Sequence, residues 1–164
     1  MRSAKIMLLG SIGVGKTSLA RRFVFDKFEG EYKSTIGVDI HTHDVSVEGA
    51  PMRLILWDTD GDFGSRIFAT AYVRGAAGAV IVSDATRPAT LTRAAELARA
   101  FSEHFPGRPV RIVVNKIDAA TLEPEAFAGT GLAATDVLRV SARTGEGVPK
   151  LFEGIGAEVL RRNL

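Results

Sequence analysis

The run Gly10-Ser11-Ile12-Gly13-Val14-Gly15-Lys16-Thr17 constrains this chain more than any other stretch. It satisfies the pattern G-x-x-x-x-G-K-[ST] at every fixed position. Before it, Ile6-Met7-Leu8-Leu9 is short and apolar enough for a buried strand; after it, Leu19, Ala20, Phe23 and Val24 recur at helical spacing. A strand feeding a glycine loop that opens a helix makes an anion cradle, because successive backbone N–H groups and the helix N-terminus face one concavity. Gly13 and Gly15 let the backbone approach phosphate oxygens with no Cβ in the way. Lys16 supplies a point charge for β- and γ-phosphates, the Thr17 hydroxyl can ligate Mg²⁺, and Val14 and Ser18 complete the cradle. The alternative is a glycine-rich turn that happens to precede Lys-Thr. The strand–loop–helix context favours a site for a nucleoside polyphosphate.

Composition narrows what such a site can serve. At 164 residues the chain is expected to form one domain over 1–164, long enough for a full core. A net charge of +2 is a near-balance and gives no reason to expect a nucleic-acid partner. The absence of Cys removes disulfides, zinc thiolate sites, a nucleophilic thiol and any prenyl or palmitoyl attachment; Met1-Arg2 also lacks the glycine that myristoylation needs. No apolar run approaches the length of a membrane span and no signal peptide precedes the first strand. The expectation is a cytoplasmic protein without a direct membrane or lipid anchor.

Strands and helices alternate along the chain. The patterns predict strands over Ala4–Gly10, Val38–Val47, Met52–Trp57, Ala77–Ser83, Val110–Val114 and Val137–Val140, the second and third joined as a hairpin around Glu48-Gly49-Ala50-Pro51. Helices are expected over Lys16–Phe25, Ser65–Val73, Thr90–Phe105 and Val148–Leu164, with Thr90 or Thr92 capping the third. Continuously apolar strands alternating with helices imply an α/β fold: a mostly parallel six-stranded sheet with one antiparallel strand and helices on both faces, which together with the loop at 10–17 resembles the three-layer sandwich of P-loop NTPases. Right-handed crossovers then bring every strand–helix loop to the carboxyl edge of the sheet.

What those loops carry is specific. Asp58-Thr59-Asp60-Gly61 follows Ile55-Leu56-Trp57; a carboxylate there suits Mg²⁺ coordination, and Gly61 can offer its N–H to a γ-phosphate, but Asp and Thr are equally at home as helix caps. Asn115-Lys116-Ile117-Asp118 follows Ile112-Val113-Val114. Guanine presents two adjacent donors, N1–H and the exocyclic amine, and one carboxylate accepts both. Adenine offers no such pair, so Asp118 would select guanine by bidentate geometry, the alternative being a capped turn. The Lys116 stem can lie over the base, and Asn115 can tie neighbouring loops together. Ser141-Ala142-Arg143 ends the last strand, where the Ala142 amide can meet the guanine carbonyl oxygen. His41 and His43 share a strand face, but two ligands without a third read as a solvated edge rather than a metal site.

With these loops the chain resembles the Ras-superfamily small GTPases, nearest their Rab-like branch. Tyr32-Lys33-Ser34-Thr35-Ile36-Gly37-Val38-Asp39 is similar to the family's first switch, and Trp57-Asp58-Thr59 with Tyr72-Val73-Arg74-Gly75-Ala76 to its second. The resemblance implies a GTP/GDP switch using Mg²⁺. By it, Thr35 joins Thr17 and Asp58 as a metal ligand, Phe28 packs against the guanine, and Lys16, Thr35, Gly61 and residue 62 serve hydrolysis. Residues 32–40 and 60–74 then meet effectors, an exchange factor and an activating protein. Loss of the γ-phosphate would release Thr35 and Gly61 and relax both segments.

The departures from the family pattern are informative. D-T-A-G-Q-E is replaced by Asp58-Thr59-Asp60-Gly61-Asp62-Phe63, so the glutamine that orients the attacking water is Asp62. A carboxylate can accept from water but cannot donate as an amide does, and it repels a γ-phosphate, so slow intrinsic hydrolysis is expected. The rival reading is a pseudo-GTPase that holds nucleotide without turnover; an ATP-dependent enzyme on the same loop is disfavoured by Asp118. Ile12 stands where many relatives have a small residue; it would either crowd an arginine supplied by a partner or be harmless, since relatives vary at this place. Asp118 and Ser141 are only 23 positions apart, which leaves room for a turn or two around Glu123–Phe127 instead of a helix. The sequence stops at Arg161-Arg162-Asn163-Leu164, without the cysteine tail of Rab-like proteins, so membrane recruitment is expected to need a protein partner.

Overall fold

The most central strand shows why its sequence is almost continuously apolar. In β1 (Arg2–Gly10), Ile6 and Leu8 point to one side of the sheet, Met7 and Leu9 to the other, and all four are buried. Burying each such side chain is worth about 1.5–3 kcal/mol, so both faces must be covered. The computed structural model describes residues 1–28 and 35–164. Across the sheet the order is β2 (Val38–Val47), β3 (Ala50–Thr59), β1, β4 (Gly78–Asp84), β5 (Val110–Asn115) and β6 (Val137–Arg139). Only β2 runs antiparallel to its neighbour; Ile6 of β1 stands level with Leu56 of β3 and Gly78 of β4. The expected α/β sandwich is the one observed.

One face of the sheet carries α1 (Lys16–Phe25) and α3 (Val148–Arg161), with Leu19, Ala20, Leu151, Phe152 and Ile155 in the core. The other carries α2 (Ala89–His104), where Leu91, Ala94, Leu97 and Phe101 form the buried stripe. No helix among the described residues is long and apolar enough to cross a membrane.

Three local expectations change. The helix expected over Ser65–Val73 is instead a pair of 3₁₀ segments, Gly61–Ala69 and Ala71–Val73. Gly64 breaks the first with φ 50° and ψ −137°, and Thr70 is extended and caps the second by accepting from the Tyr72 N–H. Thr90 does not cap α2 from outside; it lies within the first turn, donates to the Arg87 carbonyl and accepts the Asp84 N–H, tying the helix to the end of β4. His41 and His43 do not form a solvated edge either. They pair with Leu56 and Leu54 on the inward face of β2, and the His43 ring packs edge-on against Phe23 at 4.7 Å. The segment between Asp118 and Ser141 does shrink to short turns, Pro124–Phe127 and Ala134–Asp136.

Candidate functional site

Parallel strands end on one edge, so the loops after Gly10, Thr59, Asp84, Asn115 and Arg139 converge. The phosphate-type loop is shaped by positive φ at Gly10 (143°), Gly13 (76°) and Gly15 (101°). Gly15 also precedes α1 with no side-chain cap and no acid in the first turn, which leaves the positive end of the helix facing the loop. Lys16 folds back over its own loop, its Nζ donating to the carbonyls of Gly10 (2.9 Å) and Ser11 (3.0 Å). Burial lowers its ammonium to about 8, with Asp58 and Asp60 resisting and Arg87 reinforcing the shift.

The next three carbonyls are each taken from outside the loop. Arg87 Nη2 donates to Ile12 O (2.8 Å), Lys116 Nζ to Gly13 O (2.9 Å) and Asn115 Nδ2 to Val14 O (3.0 Å). Because the peptide unit is planar and trans, each carbonyl held from behind turns the following N–H the other way, towards the concave side. The Val14 N–H makes only a long contact, 3.5 Å, to Ser11 O.

An oxygen cluster lies at the mouth of the loop. Thr17 Oγ1 donates to Asp58 Oδ2 (2.5 Å) and lies 2.7 Å from Thr35 Oγ1, which is itself 3.4 Å from the same carboxylate oxygen. Asp58 is fully buried, and its Oδ1 has no hydrogen-bond partner among the described residues. Burial raises its carboxyl above the ordinary value, although Thr17 and Lys16 pull the other way. An orphaned buried carboxylate oxygen among hydroxyls suits a hard cation with oxygen ligands, so the residues fit Mg²⁺. Tyr32, Lys33 and Ser34 of the expected first switch lie outside the described residues.

The expected second switch leans on the loop. Gly61 packs so closely that a Cβ would stand 2.5 Å from the Ile12 nitrogen. Asp60 accepts the Asp62 N–H at 2.9 Å, and the Asp60 N–H donates to Gly37 O (2.8 Å), joining the two switch segments. Asp62 is exposed and lines an open cavity of about 560 Å³ together with Gly10, Ile12, Gly61 and Arg87. Trp57 is half-buried, its ring under the Lys5 ammonium (3.5 Å) and 6.5 Å from Tyr72.

On the other side of the loop, Asp118 is exposed with one oxygen oriented by the Ser141 hydroxyl at 2.7 Å. Asn115 is buried and bridges two loops, for its Oδ1 accepts the Ala142 N–H at 3.0 Å while its amide holds Val14. The Ala142 amide expected to face a guanine carbonyl is thus engaged within the protein. Arg22 of α1 holds the same loop through the carbonyls of Ala142 (2.8 Å) and Arg143 (2.5 Å). Phe28 is partly exposed beyond the end of α1, and Ser18 sits in its first turn.

Sequence reasoning missed Arg22, Asp84 and Arg87. A signal existed for the last two: Asp84-Ala85-Thr86-Arg87 follows a buried strand at the same edge that carries Asp58 and Asn115. Asp84 is buried and accepts from Lys116 Nζ (2.8 Å) and Arg87 Nε (3.1 Å) on one oxygen, and from the Thr86 N–H and hydroxyl on the other.

The family model of the Ras family matches residues 5–161. The Ras-related protein RABA1a of Arabidopsis thaliana is 40% identical over 76% of the chain and 61% of its own length. The Ras-related protein SEC4 of Saccharomyces cerevisiae is 36% identical over 90% of the chain and 71% of its own. For the Ras-related protein Rab-18-B of Danio rerio the identity is 31%, over 98% and 81%. The chain thus spans between three fifths and four fifths of the length of these relatives.

Proposed function

Since the chain belongs to the Ras family, whose members are GTP-binding switch proteins, we propose that it binds GTP and GDP with Mg²⁺ and hydrolyses GTP slowly. One observation carries this reading: the loop bearing Asp118 is hydrogen-bonded into the back of the phosphate loop through Asn115 and Lys116, so a base held at one is in register with phosphates in the other. Asp118 accepts guanine N1–H and the exocyclic amine, while Ser141 holds the carboxylate in place and Ala142 and Arg143 line the base. Phe28 packs against the ring, and Asn115 must share or release the Ala142 N–H for the guanine carbonyl oxygen to use it. The N–H groups of Gly13–Ser18 and the Lys16 ammonium take the phosphates. Thr17, Thr35 and Asp58 hold Mg²⁺, which when bound neutralises charge on the phosphate oxygens. Gly61 and Thr35 report the γ-phosphate to residues 32–40 and 60–74, the surfaces offered to effectors and regulators. Water attacks the γ-phosphorus in line, and catalysis is mostly positioning.

The direct test is the nucleotide that co-purifies with the protein. GDP or GTP is expected after denaturing release; ATP displacing it at comparable concentration would overturn the assignment. Binding is also expected to move a proton. With Lys16 near 8 in the empty loop, and phosphate charge restoring a higher value, binding at pH 8 takes up about half a proton. Titration calorimetry in two buffers of different ionisation enthalpy reads this directly, and a buffer-independent heat would contradict it. The sign is set by the lowered value: the charged form is disfavoured in the empty fold, so that penalty is relieved as pH rises from 8 to 10.5 while phosphate affinity weakens.

A second reading is favoured by Asp62, which faces the cavity as an acceptor-only group beside the expected γ-phosphate. If it has ended turnover, the protein is a nucleotide-holding interaction module. Single-turnover hydrolysis separates the two. Asp62→Gln is expected to raise the rate about tenfold or more by restoring an amide donor; no phosphate release from either protein would favour the module.

A further inference from the structure

The phosphate loop is braced from behind by two cations that share one buried acid. Asp84 ends β4 with its carboxylate out of contact with water and grips Arg87 Nε (3.1 Å) and Lys116 Nζ (2.8 Å). Backbone bonds hold this loop still: Arg87 N–H to Asp84 O (3.0 Å) and Ala85 N–H to Asn115 O (2.9 Å). Clamped to Asp84 through Nε, the Arg87 guanidinium presents Nη2 to Ile12 O at 2.8 Å. Its charge reaches the cradle, for it opposes the protonation of Lys16. It lines the same cavity as Gly61 and Asp62.

The carbonyl of Ile12 and the N–H of Gly13 belong to one peptide unit and point in opposite directions. A cation bonded to that carbonyl draws electron density through the unit and makes the Gly13 N–H a stronger donor on the concave side. Resting on the reading of the loop as a GTP site, we propose that Arg87, clamped by Asp84, is a positioning residue for hydrolysis that acts through the Ile12–Gly13 peptide on the leaving diphosphate. In the reaction, water oxygen bonds to the γ-phosphorus and the bond from that phosphorus to its bridging oxygen breaks. The electron pair of that bond leaves with GDP, and both water protons end on inorganic phosphate. Negative charge therefore grows on the diphosphate side, and a sharpened donor there favours the transition state over bound GTP. The position matters more because residue 62 is an acid and supplies no amide donor.

The test uses the whole chain loaded with GDP or GTP and compares the unmodified protein with Arg87→Ala and Arg87→Lys. The donor is weakened and not removed, so single-turnover hydrolysis by Arg87→Ala is expected to fall about tenfold, below the loss for deleting such a donor outright. Affinity for a non-hydrolysable GTP analogue should change less than threefold, and Arg87→Lys should recover part of the rate. A second readout needs no turnover: in the GDP complex the Gly13 amide proton resonance should move upfield in Arg87→Ala, as it does when a hydrogen bond weakens. An unchanged rate with an unmoved Gly13 resonance overturns the proposal while leaving the GTP site intact. A loss of affinity for the GTP analogue as large as the loss of rate also overturns it, making Arg87 a brace of the loop alone. So does an absence of hydrolysis by the unmodified protein. Failure of the unmodified protein to bind guanine nucleotide at all removes the reading on which the proposal stands.

Discussion

Asp118→Ala is expected to bind GDP and ADP with nearly equal affinity, after losing about 10²–10⁴ in its affinity for GDP. Two hydrogen bonds to one carboxylate, each worth about 1.5–3 kcal/mol because the acceptor is charged, account for a loss of that size. The phosphate loop is untouched, so the variant should still take up triphosphates, only without regard to the base. Ser141 loses its acceptor as well, but its hydroxyl also receives the Thr144 N–H at 3.0 Å, so the turn should survive. Competition of GDP and ADP against a fluorescent guanine nucleotide measures the ratio. Discrimination that persists in Asp118→Ala would mean that the base is read elsewhere, and the assignment of the loop after β5 as the base site would fall with it.

Gly15→Ala is expected to destabilise the protein by about 3–5 kcal/mol and to abolish tight nucleotide binding. At φ 101° an L-residue is strained by about 1–2 kcal/mol. The added Cβ would also stand 2.3 Å from Asn115 Nδ2, far inside contact distance. Asn115 has to move, and it is the residue that holds Val14 O and the Ala142 N–H together; each bond is worth about 1 kcal/mol. Against a total stability of about 5–15 kcal/mol, a loss of this size should shift the urea midpoint markedly. The effect on binding has the same origin, because the amide at 15 lies in the cradle and the Asn115 tie aligns base and phosphate loops. A midpoint within error of the unmodified protein, with nucleotide retained, would show that Asn115 can step aside at no cost.

Much of the fold could be read along the chain. The apolar runs at 6–9 and 77–83 look alike in sequence because both strands are buried on two faces, and the structure places both inside. Gly-rich punctuation and helical spacing located α1 to the residue. The stretch 65–73 reads as a helix because its apolar residues are spaced like one, yet it folds as two 3₁₀ segments. Gly64 accepts a positive φ that ends the coil, and Thr70 offers a cap that restarts it. The two histidines differ from expectation for another reason. Alternation in an edge strand shows that they share a face, but only the position of Phe23 on α1 shows that the face is inward.

The candidate site divides in the same way. Motifs made of neighbours, such as 10–17 and 115–118, are legible because backbone geometry holds residues a few positions apart in a set relation. The arrangement that locks them together is not local. Arg87 reaches a carbonyl 75 positions away, and Asn115 and Lys116 reach 101 and 103 positions back to the same loop. Asp84 could draw notice only as one more acid at a strand end until the parallel order of β1, β4 and β5 put it behind the loop. Sequence alone determined which segments are strands and where the motifs at 10–17 and 115–118, proposed here to hold phosphate and base, fall along the chain, since these depend on residue type and short-range spacing. Tertiary structure alone decided which cations brace the loop and that Asp58 has a carboxylate oxygen to spare, since hydrogen-bond partners and burial are set by which strands lie side by side.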